Sequence, residues 1–170
     1  LPDPIIQHLA GSGIGLSCEE PELLDTGGGL RAALPMLGDD PVFTMNTDAA
    51  WAGPNPLRLL SDAWKPAQMD ALLLCVPRDR SAGHPGRGDF VIGKDGRARR
   101  GPGAIYTGLQ IIRTDGLRNI SERVFSLNRL WDDMLAAGRL HAVLYPGRWC
   151  DVGTPDGIAL AEEMLEARDV

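Results

Sequence analysis

Pro41-Val-Phe-Thr-Met-Asn-Thr-Asp48 is a short apolar strand that runs straight into a carboxylate. Further on, Ala71-Leu-Leu-Leu-Cys-Val76 is almost wholly apolar, the pattern of a central strand covered on both faces. Between the two, Asn55-Pro56 supplies an N-cap and a first-turn proline for a helix that presents Leu57, Leu60 and Trp64 on one side. Strand, helix and buried strand in that order make an α/β unit.

The same alternation extends outward. Upstream, Ile5-Ile6-Gln-His-Leu9 reads as a short helix, Gly11 to Gly15 as a turn and Ile14 to Cys18 as a short strand. A helix from about Gly28 to Leu34 follows and stops at Pro35. Downstream, residues 77–103 are rich in Arg, Gly, Asp and His and poor in apolar residues apart from Phe90-Val-Ile92. Asp95-Gly96 marks a hairpin turn inside this insert, which reads as a flap facing substrate. Ile105 to Ile112 returns to strand pattern, and Ser126 caps a helix carrying Leu127, Leu130, Trp131, Met134 and Leu135 that ends at Gly138. Leu140 to Leu144 is the last long strand, and Thr154-Pro155 opens the final helix. The expectation is one domain over residues 1–170, of α/β class, with a Rossmann-like, mostly parallel sheet flanked by helices.

Composition narrows the function. With 170 residues, 44% of them apolar, the chain can bury a core of ordinary size. A net charge of -6 and the scarcity of basic runs argue against a groove for nucleic acid. A small anionic substrate stays compatible, because metal ions and helix starts hold phosphate without a basic surface. Cys18, Cys75 and Cys150 lack metal-ligand spacing and are odd in number, the usage of a reduced, cytoplasmic protein. No apolar run is long enough to span a bilayer, so no membrane partner is expected.

In open α/β sheets ligands bind beyond the carboxyl ends of the strands, and Asp48 and Asp151 both fall at such ends. Two carboxylates there hold a magnesium ion through oxygen, with water and phosphate completing the octahedron. Each has a plainer alternative: Asp48 caps the turn before Trp51, or Asp151 serves as a cap or ion-pair partner near Thr154. Thr26-Gly27-Gly28-Gly29 opens a helix with three residues lacking Cβ. Its amides either donate to a base carbonyl or phosphate, or the glycines simply make a tight turn. No Gly-Lys-Ser or Gly-Lys-Thr follows, so it is not a P-loop. Arg87-Gly88-Asp89 reads either as a loop able to contact a polar sugar or as a plain solvated loop, and Tyr106-Thr107-Gly108 either sets a hydroxyl and a close backbone amide over a sugar or simply packs as a strand. His84 could meet phosphate but stands apart from other ligand types, and no nucleophilic triad can be assembled.

The ordered set is Glu19 to Gly29, Asn46-Thr-Asp48 with Trp51, Gly86-Arg-Gly-Asp-Phe90, Tyr106-Thr-Gly108 and Gly147-Arg-Trp-Cys-Asp-Val-Gly-Thr154. Over nearly the whole chain it resembles the bacterial sugar-1-phosphate nucleotidyltransferases, within them the N-acetylmuramate-1-phosphate uridylyltransferases of cell-wall recycling. The resemblance implies a nucleotide-diphospho-sugar transferase fold and transfer of a nucleoside monophosphate from an NTP, UTP in that group, to a sugar 1-phosphate. It implies Mg2+ held by Asp48 and Asp151, nucleotide contacts from Thr26 to Gly29, and sugar contacts from Arg87, Gly88, Asp89, Thr107 and Gly108. Two alternatives stand beside it: a mannose-1-phosphate guanylyltransferase, and a noncatalytic module that binds nucleotide sugars.

The chain departs from the family pattern in two places. Thr47 stands where the family usually has Gly before the first metal-binding Asp. The family's opening strand, its glycine- and arginine-rich triphosphate loop and a downstream Lys have no counterpart, and Leu1-Pro-Asp-Pro resembles the stretch just after its second strand. The resemblance therefore implies an N-terminally incomplete domain, catalytically impaired by itself, whose open sheet edge invites a companion N-terminal segment or chain, or a homodimer.

Overall fold

The computed structural model describes residues 3–167. In chain order its elements are α1 (Asp3–Leu9), α2 (Asp25–Leu37), β1 (Val42–Met45), β2 (Ala49–Ala52), α3 (Pro56–Ala63), β3 (Ala71–Val76), β4 (Ser81–Ala82), β5 (Phe90–Ile92), β6 (Ala98–Arg100), β7 (Ile105–Ile112), α4 (Asn128–Ala136), β8 (Leu140–Leu144), β9 (Arg148–Asp151) and α5 (Pro155–Glu166). Where one domain was expected, these divide into two compact units. One comprises residues 3–40 with 114–132, the other residues 41–113 with 133–167.

The larger unit carries the main sheet, in the order β1-β7-β3-β8. β7 runs antiparallel to both its neighbours while β3 and β8 are parallel. Three strands therefore share one direction and one is reversed, and the α/β class stands. The uniform burial of Ala71 to Val76 follows from that central place. Leu60 from α3 packs with Leu72, Leu74, Leu109, Ile111 and Tyr145. Asn55 caps α3 as its sequence predicts, its Oδ1 accepting the N–H groups of Leu57 and Arg58 at 3.0 and 3.1 Å.

A second, three-stranded sheet, β2-β9-β4, was not legible beforehand, because Ala49-Ala-Trp-Ala52 has little strand propensity. Its ladder places Ala49 opposite Asp151 and Trp51 opposite Trp149. Cys150 on its other face packs with Ala52, Ala161 and Met164, which fixes α5 to it.

The insert over residues 77–103 divides in two. The hairpin β5–β6 turns at Asp95-Gly96 as expected, but it is not a free flap: the Ala142 N–H donates to the Gly96 carbonyl at 2.9 Å. That ties the turn near the start of β8, the sheet end opposite to the one where Asp48 stands. The part of the insert beside β9 is β4, through the pairing of Ser81 and Ala82 with Trp149 and Cys150.

The smaller unit corrects two expectations. Ile14 to Cys18 forms no strand; it has no pairing partner and leaves Ile14 and Leu16 exposed. The second helix begins at Asp25 and continues through Pro35 to Leu37. A proline this near the end removes one rung of the ladder only, and the Gly38 N–H closes the helix on the Leu34 carbonyl at 3.2 Å.

Candidate active site

Asp48 follows the end of β1, and Asp151 ends β9. The ladder between β2 and β9 brings the two together, since the Val152 N–H donates to the Asp48 carbonyl at 2.9 Å. Gly153 lies close to both side chains. A Cβ there would sit 3.1 Å from Asp151 Oδ1 and 3.3 Å from Asp48 Oδ2, so both oxygens face one small space and their separation cannot exceed those two distances combined. The Gly153 N–H donates to Asp151 Oδ1 at 2.9 Å, which fixes that oxygen. Asp48 is exposed and Asp151 half-buried, so water reaches the space between them.

This donor set suits a hard cation of the magnesium type. Such an ion takes one or two carboxylates and keeps several waters or phosphate oxygens. Among the described residues no group of three or more His, Cys, Asp or Glu forms a metal cluster, so a zinc-like cage is not built here. The missing Cβ at Gly153 is what leaves room beside the carboxylates.

A third side chain, which sequence reasoning set aside, stands at the same place. His84 Nδ1 is 3.8 Å from Asp151 Oδ2, and its ring lies 6.2 Å from the ring of Trp149. It arrives there through Gly83, with φ +75°, where a Cβ would strike the Asp151 carbonyl at 2.3 Å. The paired glycines at 83 and 86 around His84 were the available signal. Trp149, two residues before Asp151, is buried against Val76 and Ile105. Its indole N–H has no partner among the described residues, a vacancy that costs about 1–3 kcal/mol when a buried donor is left unmet.

The expected sugar-side residues separate by role. Asp89 is exposed, and its Oδ2 accepts the Tyr106 N–H at 2.8 Å, so it ties its loop to the start of β7. Gly88, at φ +93°, passes against Gly103, while Arg87 is exposed. Thr107 is buried and its hydroxyl donates to the Leu74 carbonyl at 2.7 Å; the expectation of a hydroxyl offered to a sugar is corrected, because the sheet consumes it. Gly108, at φ +81°, lets Asn46 approach: its carbonyl accepts the Asn46 N–H at 3.0 Å, and a Cβ would meet the Asn46 side chain at 2.7 Å. Asn46, exposed and two residues before Asp48, is a further candidate contact that the motif contained but the spacing did not single out.

The glycine-rich helix start belongs to the smaller unit and is corrected as a set of free amide donors. The Gly27 and Gly28 N–H groups both donate to the Phe125 carbonyl, at 3.0 and 3.1 Å. The Thr26 N–H donates to Asp25 Oδ1 at 2.5 Å, and the Thr26 hydroxyl accepts the Leu127 N–H at 2.9 Å. Gly29 leaves space that the Glu19 carboxylate fills, and Glu19 Oε2 in turn accepts the Leu24 N–H at 2.5 Å. The absence of three Cβ atoms admits a chain segment here.

No family model matches the chain. It is 34% identical over 160 residues to an N-acetylmuramate alpha-1-phosphate uridylyltransferase of Caulobacter vibrioides, a match covering 89% of this chain and 66% of that relative. The chain belongs to the sugar-1-phosphate nucleotidyltransferase family. It spans just under two thirds of that relative's length. Solved structures agree on the fold. HddC from Yersinia pseudotuberculosis, complexed with GMP-PN, superposes with a TM-score of 0.68 at 20% identity, over 97% of this chain and 73% of that one. A Bacillus anthracis protein assigned as a glucose-1-phosphate thymidylyltransferase, in complex with a sucrose, gives 0.74 at 16% identity, over 99% and 72%. Within the family, the fold is the nucleotide-diphospho-sugar transferase type.

Proposed function

We propose that the whole protein transfers a nucleoside monophosphate from UTP to N-acetylmuramate 1-phosphate, releasing pyrophosphate, and that it uses Mg2+ to do so. The observation that carries the reading is the approach of Asp48 Oδ2 and Asp151 Oδ1 to the one space left open at Gly153. The name of the Caulobacter relative supports the choice of uridylyl group and sugar.

In this reading an oxygen of the sugar phosphate attacks the α-phosphorus of the nucleotide, the bond to the β-phosphate oxygen breaks, and pyrophosphate leaves in line. The ion, when bound, neutralises phosphate oxygens as charge develops. Asp48 and Asp151 would hold it, and the Gly153 N–H fixes Asp151 Oδ1 at 2.9 Å. Asn46, set by Gly108 at the end of β1, is placed to receive a polar group of the substrate. Arg87 offers positive charge from the 81–89 loop, with Gly88 and Asp89 shaping that loop. No enzyme nucleophile takes part, so the residues work by position and charge compensation.

Pyrophosphate release by the purified whole protein, with UTP or GTP against N-acetylmuramate 1-phosphate or mannose 1-phosphate, tests the reading. Turnover is expected with the first of each pair, abolished by a chelator and reduced about 100-fold or more by Asp48→Asn or Asp151→Asn. Turnover that persists in a chelator, or in both amide variants, overturns it.

A further inference from the structure

Asp151 divides its carboxylate between two surroundings. Oδ1 accepts the Gly153 N–H at 2.9 Å and faces the space shared with Asp48. Oδ2 faces His84 Nδ1 at 3.8 Å. The histidine has little freedom to be elsewhere. Trp149 forms one wall, its ring tilted 60° to the imidazole, and a Cβ on Gly86 would lie 2.5 Å from Nε2, so backbone closes the far side of the ring. Only about a quarter of the imidazole side chain is exposed, at 25%.

We infer that His84 is a positioning residue, which holds the far oxygen of Asp151 so that Oδ1 stays turned toward Asp48 and the cation. The inference rests on the metal reading above. A carboxylate turns about a broad, two-fold torsion and does not by itself keep one oxygen forward. A backbone donor on Oδ1 and a ring donor on Oδ2 together fix its plane. With its proton on Nδ1 the imidazole points that donor at Oδ2; 3.8 Å is an ion-pair distance, longer than a hydrogen bond. Polar pairs at such sites tighten once the site is loaded. Ligating carboxylates are commonly held from behind in this manner, and removing the holding group weakens metal binding by about 10- to 100-fold.

The test is direct binding of Mn2+ to the whole protein, followed by electron paramagnetic resonance, alongside the Mg2+ dependence of turnover. His84→Leu is expected to weaken Mn2+ binding about 10- to 100-fold and to raise the Mg2+ needed for half-maximal turnover by a similar factor. At saturating Mg2+ the KM for UTP and the melting temperature should stay unchanged. His84→Asn, whose amide nitrogen falls near the place of Nδ1, should recover most of the affinity, whereas His84→Gln, which carries its donor further out, should not. Leu, Asn and wild type binding Mn2+ alike overturns the role of His84 and leaves the metal site standing. Failure of the unmutated protein to bind Mn2+ overturns the metal site itself. If the Leu variant does not fold, equal affinities of the Asn and Gln variants overturn the inference.

Discussion

Asp48 and Asp151 both approach a residue that has no side chain: the absent Cβ of Gly153 would lie 3.3 Å from the Oδ2 of one and 3.1 Å from the Oδ1 of the other. The backbone of Gly153 is not in the left-handed region, so alanine is free of conformational strain there, and its N–H to Asp151 is kept. The methyl group nevertheless crowds the space where a cation would bind, and magnesium tolerates little distortion of its shell. Gly153→Ala should therefore raise the Mg2+ requirement about tenfold with little change in melting temperature. A Mg2+ titration of turnover beside a thermal melt checks this; an unchanged requirement places the cation elsewhere.

Gly28→Ala sets two effects of opposite sign against each other. Alanine is the better helix former by about 1 kcal/mol. At this position its Cβ would lie 2.7 Å from the Arg123 carbonyl oxygen and 2.9 Å from the Leu24 Cβ. Overpacking against backbone costs about 1–3 kcal/mol, so destabilisation should win, with melting falling about 2–4 °C for each kcal/mol at this chain length. Thermal denaturation reads the sign. A more stable variant would mean that residues 123–125 do not press on α2.

These two glycines show what was legible and what was not. Asp48 and Asp151 could be proposed from the sequence because an acid at the end of a strand is a local pattern. The α/β order was equally readable, since Ala71 to Val76 and the Asn55-Pro56 cap announce themselves within a few residues. The triplet at 27–29 left two readings open, amide donors or a tight turn, because a missing Cβ admits a ligand or a chain segment alike. The segment that decides the matter, around Phe125, lies far along the sequence. His84 was set aside for the same reason: its partner Asp151 joins it only through the pairing of β4 with β9, which two residues of strand cannot signal.

Among the described residues β1 hydrogen-bonds on one side only, to β7. Phe43 and Met45 on this strand are 47% and 54% exposed. An edge strand with bare apolar side chains is a template for pairing with another strand. The chain by itself should associate with rising concentration, and replacing Phe43 and Met45 together by Lys should suppress that association. Sedimentation velocity over about 1–100 μM covers the range where such contacts show. A chain that stays monomeric throughout removes β1 as an adhesive edge.

The thiols supply a pH dependence with a definite sign. Cys75 and Cys150 are buried, and Cys18 is exposed. Burial pushes both buried thiols above their ordinary value, with the charge of Asp89 adding to the effect at Cys75 and that of Asp151 at Cys150. Unfolding would return them to about 8.5. Below that pH both states hold their thiol protons and the protein keeps its full stability. Above it the unfolded chain ionises while the folded one does not, so stability falls as pH rises from about 8.5 toward the folded values. Urea midpoints between about pH 7.5 and 9.5 should decline, and Cys75→Ala should flatten part of the slope. Because the thiolate is the reactive form, a disulfide reagent at about pH 8 should label Cys18 alone in the native chain and all three after denaturation. Native labelling of Cys75 or Cys150 at the rate of Cys18 would show that these thiols are not shielded by β3 and β9.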